Sequence, residues 1–91
     1  SGMHVRVAMV VAVLNIEGIS SRAEQFTRTA TQLRFEELGP LAESDPMYPV
    51  FREAMFTGDS TAFLADPINA QIAEAVIARD AHRALEIALT L

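Results

Sequence analysis

Apolar residues recur along this chain with a helical period far more often than with a period of two. Between residues 64 and 91, Ile68, Ile72, Ala75 and Val76 fall at the spacing of one helix face, and Ala84, Leu85, Ala88 and Leu91 repeat it in a second helix. Asp66–Pro67 offers an N-cap followed by the residue best tolerated at the first helical position, and Asp80 is placed to cap or kink the last helix. Upstream, Ser21 and Glu24 have the S-x-x-E spacing of a capping box. That start predicts a helix to about Leu38, with Phe26, Ala30, Leu33 and Leu38 on its apolar side. Gly39–Pro40, Pro46 and Pro49 make "GPLAESDPMYP" a loop, because proline removes a backbone donor. A short helix is expected from about Pro49 to Phe56, ended by Thr57–Gly58, after which Asp59 caps a single turn through Leu64.

The segment from Val5 to Leu14 is ambiguous by pattern alone. Its β-branched residues suit a buried strand, whereas a lone strand in an otherwise helical chain leaves its edges unpaired. Helix is the favoured reading, and a strand would have to pair across a dimer. The predicted fold is therefore all-α, a compact bundle of five to six helices in which the N-terminal valine-rich segment is helix or, alternatively, strand. Ser1–Met3 reads as a cloning remnant, and residues 4–91 as a single helical domain, since a chain of 91 residues has room for one modest core.

Composition narrows the chemistry. Apolar residues make up 51% and charged residues 21% of the chain, which argues for a folded domain with surplus apolar surface. A homo-oligomer is expected on that ground, self-associating through Val7, Val10, Val11 and Leu14. Every cation is an arginine: Arg6, Arg22, Arg28, Arg34, Arg52, Arg79 and Arg83. Schiff-base and P-loop lysine chemistry is thereby excluded for this chain. Cysteine does not occur, so disulfides, thiol catalysis and thiolate metal sites are excluded as well. A net charge of −5 disfavours direct nucleic-acid binding, which draws its affinity from cations on phosphates. The apolar run from Val7 to Leu14 is too short to span a bilayer, so no membrane association and a cytoplasmic location are expected.

Candidate chemistry is sparse. His82 and Glu86 lie four apart on one helix face, a spacing more often used for surface electrostatics than for a metal, so no metal, no cofactor and no catalytic residue is assigned. The serines Ser20, Ser21, Ser44 and Ser60 fall at turns and caps, and Glu36–Glu37 and Glu43–Asp45 read as solvated acids. More informative is the crowding of Tyr48, Phe51, Met55, Phe56 and Phe63 around the proline-rich loop. Phe51 and Met55 share a helix face, with Tyr48 one turn before. Core packing explains such a cluster. The sharper alternative is a pliable site for an apolar or anionic small molecule, held by Arg34, Tyr48, Phe51, Arg52 and Met55.

The functional expectation is a non-catalytic helical interaction or effector-binding domain. In general character it is similar to the acidic all-helical domains that serve ligand sensing or dimerisation in bacterial transcription regulators. One alternative is a small all-helical enzyme that grips an anionic metabolite with Arg34 and Arg52. Another is a helix-turn-helix nucleic-acid binder with "SRAEQFTRTATQLRFEEL" as recognition helix, whose Glu24, Glu36 and Glu37 would weaken phosphate contacts.

Overall fold

The computed structural model describes residues 4–16 and 42–91, and among them every regular element is helical. Five helices are present there: α1 (Val5–Ile16), α2 (Tyr48–Thr57), α3 (Thr61–Ala65), α4 (Pro67–Ile77) and α5 (Ala81–Leu89). The capping box at Ser21–Glu24, the helix to Leu38 and the Gly39–Pro40 break lie outside the described residues.

Helix α1 settles the valine-rich ambiguity. Arg6 to Val11, Val13 and Leu14 are all buried, so the helix is enclosed on nearly every side rather than along one stripe. Valine has modest helix propensity, and tertiary packing overrides it here. Around this axial helix sit α2, α4 and α5. Val7, Val10, Val11 and Leu14, expected as a self-association surface, are 0–2% exposed and pack within their own chain.

Local signals place the remaining elements. Asp66 caps α4 by accepting from the Ile68 and Asn69 amides, both at 3.0 Å, with Pro67 opening the helix. Asp80 accepts from the Arg83 amide at 3.1 Å and caps α5. Between these helices the Asp80 amide donates to the Ala75 carbonyl and the Arg79 amide to Val76, a Schellman closure that puts Arg79 in the left-handed region at φ 59°. Asp59, one residue before the Ser60 N-cap of α3, accepts from the Thr61 amide at 3.0 Å. Gly58 ends α2 at φ 75°, and a Cβ there would meet nothing within 4 Å, so backbone conformation alone calls for glycine.

Phe63, Ile72 and Val76 are fully enclosed, and Ala84 and Ala88 on α5 let α4 and α5 pack closely. Leu91, predicted on the α5 core face, is instead 57% exposed, because α5 ends at Leu89.

Candidate functional site

The aromatic cluster divides along the two sides of α2. Phe51 points inward, 8% exposed, with its ring 6.1 Å from Phe63 and 6.4 Å from Tyr48. Ala54 is buried beside it, and Tyr48 and Met55 are half-buried against the same core. Phe51 and Met55 are therefore largely core. Arg52 lies on the solvent side with its guanidinium carbon 6.0 Å from the centre of the Tyr48 ring, within cation–π range. Arg34 lies outside the described residues.

Phe56 is the outlier. It is 91% exposed, although sequence crowding grouped it with the core aromatics. With Pro49, Arg52 and Glu53 it lines an open groove of about 360 Å³ along α2. The helical period could have revealed this, since Pro49, Arg52, Glu53 and Phe56 are themselves spaced by three, four and seven residues, opposite Phe51 and Ala54.

A second constellation, unanticipated from the sequence, lies at the start of α1. The Arg6 guanidinium is almost enclosed and forks onto the Asp45 carboxylate, at 2.7 Å from Nη2 to Oδ1 and 3.4 Å from Nε to Oδ2. Its remaining nitrogen, Nη1, donates to Asn69 Oδ1 at 3.2 Å. Asn69, 0% exposed, donates in turn from Nδ2 to the Phe63 carbonyl at 3.0 Å. The Met47 amide donates to Asp45 Oδ1 at 2.8 Å, so the carboxylate also shapes the approach to α2. His4 Nδ1 accepts from the Arg6 amide at 3.0 Å. Every buried side-chain nitrogen and oxygen among the described residues has a partner.

Burial by itself pushes the Asp45 carboxyl upward. The Arg6 hydrogen bond, the Met47 amide and the positive charge of Arg6 outweigh it, and the group is held below its ordinary value. Asp59 is lowered too, through hydrogen bonds from the Thr61 hydroxyl and amide.

Elsewhere among the described residues the titratable groups are dispersed. His82 and Glu86 pair at 2.8 Å on the open surface of α5. Among the described residues no group of three or more His, Asp or Glu side chains converges, and no helix is long and apolar enough to cross a membrane. Comparison with known protein families, curated proteins and solved structures gives no match.

Proposed function

We propose that this chain is a non-catalytic binding module whose outer α2 face takes an apolar ligand or partner segment bearing an anionic group, as in ligand-sensing or dimerisation domains of bacterial transcription regulators. The observation that carries this reading is Phe56, a large aromatic ring 91% exposed beside a cation. An exposed ring supplies apolar contact, and a guanidinium matches a carboxylate or phosphate. The Tyr48 ring beneath Arg52 restrains the cation, which reduces the entropy lost when an anion is held.

The test is a thermal-shift and NMR screen of aromatic and aliphatic carboxylates and phosphates. Phe56→Ser and Arg52→Ala alter exposed residues, so each should keep the parent melting temperature and weaken the ligands that the parent binds. A ligand that binds both variants as tightly as the parent would remove the outer α2 face from the proposal.

Self-association is the second reading, favoured by Leu89, which is 73% exposed on α5. On this reading Leu89→Asp shifts the light-scattering mass to that of a monomer, and an unmodified protein that is already monomeric rules it out.

A further inference from the structure

We infer that Arg6, oriented by Asn69, forms a built site for a carboxylate, that Asp45 occupies it as an internal plug, and that a small organic acid displaces Asp45 and frees the start of α2. This site is separate from the outer α2 face, so the failure of either proposal leaves the other standing.

The cationic half of the site is anchored independently of Asp45. Arg6 belongs to the axial helix, and its Nη1 is held by Asn69, whose own amide is tied to the Phe63 carbonyl on α3. The edge formed by Nε and Nη2 thus faces its ligand with the orientation already set, the fork geometry that suits two carboxylate oxygens.

The anionic half is held differently. Asp45 comes from the non-helical turn over residues 43–47, in which Glu43, Ser44 and Pro46 are exposed. Its side chain is also the outer member of the pair, 13% exposed against 7% for Arg6. Moving this turn, whose Asp45 amide donates to the Ala42 carbonyl and whose Asp45 carbonyl accepts from the Tyr48 amide, uncovers the guanidinium edge. The edge so uncovered matches two oxygens of one carboxylate. Arrival of that group takes Asp45 away from the Met47 amide, which immediately precedes α2 and donates to Asp45 Oδ1. Occupancy is thereby coupled to the end of α2 that carries Tyr48 and Pro49.

Chemical rescue tests the site, and amide exchange tests the displacement. Asp45→Ala leaves the guanidinium edge empty, so the variant should melt several degrees higher in acetate than in chloride of equal ionic strength. If it does not fold in chloride, helical circular dichroism should return on refolding in acetate. The double variant Arg6→Met/Asp45→Ala should respond equally to the two salts. In the unmodified protein, exchange of the Met47 amide should speed up severalfold in acetate relative to chloride. Equal responses of Asp45→Ala to the two anions overturn the site. An unchanged Met47 rate overturns displacement, even where the variant is rescued.

Discussion

Arg6 and Asp45 stand 39 residues apart in the chain and meet at 2.7 Å, with the guanidinium also held by Asn69 from 63 residues away. One cation thus joins the axial helix to the turn before α2 and to the first turn of α4. A buried pair of this kind adds little net stability over well-packed apolar residues, but its loss from one side leaves an uncompensated charge.

Removing one partner should therefore be worse than the sum of contacts suggests. Asp45→Ala is expected to destabilise the fold by about 3–5 kcal/mol in urea denaturation. Arg6→Met combined with Asp45→Ala should cost clearly less than the two single changes added together. Simple additivity would mean that the two residues do not act as a pair.

Acid should act on the same pair. An unfolded chain takes up a proton on Asp45 near the ordinary value of 3.8, and the folded chain only at a lower pH. The contribution is thus complete above the ordinary value and is lost as pH falls through the lowered one. Denaturation measured at decreasing pH should show a shallower acid loss for Asp45→Asn than for the parent. Parallel curves would contradict the lowered carboxyl.

The cap of α4 predicts a loss confined to stability. Asp66 satisfies two amide donors, so Asp66→Ala should cost about 0.5–2 kcal/mol and leave the outer α2 face intact. Denaturant melts indistinguishable from the parent would remove the cap from the account.

Arg79 predicts a gain. A side chain in the left-handed region costs roughly 1–2 kcal/mol, and glycine relieves that cost. Arg79→Gly should raise stability by about 1 kcal/mol after the loss of the side chain's own contacts. A lower melting temperature would show that those contacts outweigh the backbone strain.

Most of the architecture was legible because its determinants are local. Asp66, Asp80 and Gly58 act within a few residues of their own positions, and a single sequence records such signals directly. Which face of α2 turns inward was obscured by the crowding of aromatic residues, although the three-, four- and seven-residue spacing of Pro49, Arg52, Glu53 and Phe56 already sets Phe56 opposite Phe51. The Arg6–Asp45–Asn69 unit escaped because its members lie far apart, and no local pattern joins a turn acid to a helix cation. Two traces of it were nevertheless present. Arg6 interrupts an apolar run, and Asn69 shares the three- and four-residue spacing of Ile72, Ala73 and Val76, where a lone amide signals a buried polar contact.

Enclosure of α1 has a consequence for the chain when it is not folded. "VAMVVAVL", residues 7–14, is uncharged, free of proline and rich in valine, a composition that favours stacked strands as readily as helix. Its helical form is maintained by the walls that α2, α4 and α5 build around it. Once those walls open, the same eight residues become a template for cross-β assembly between chains. Loss of the surrounding helices thus converts an enclosed element of the fold into an aggregation hazard.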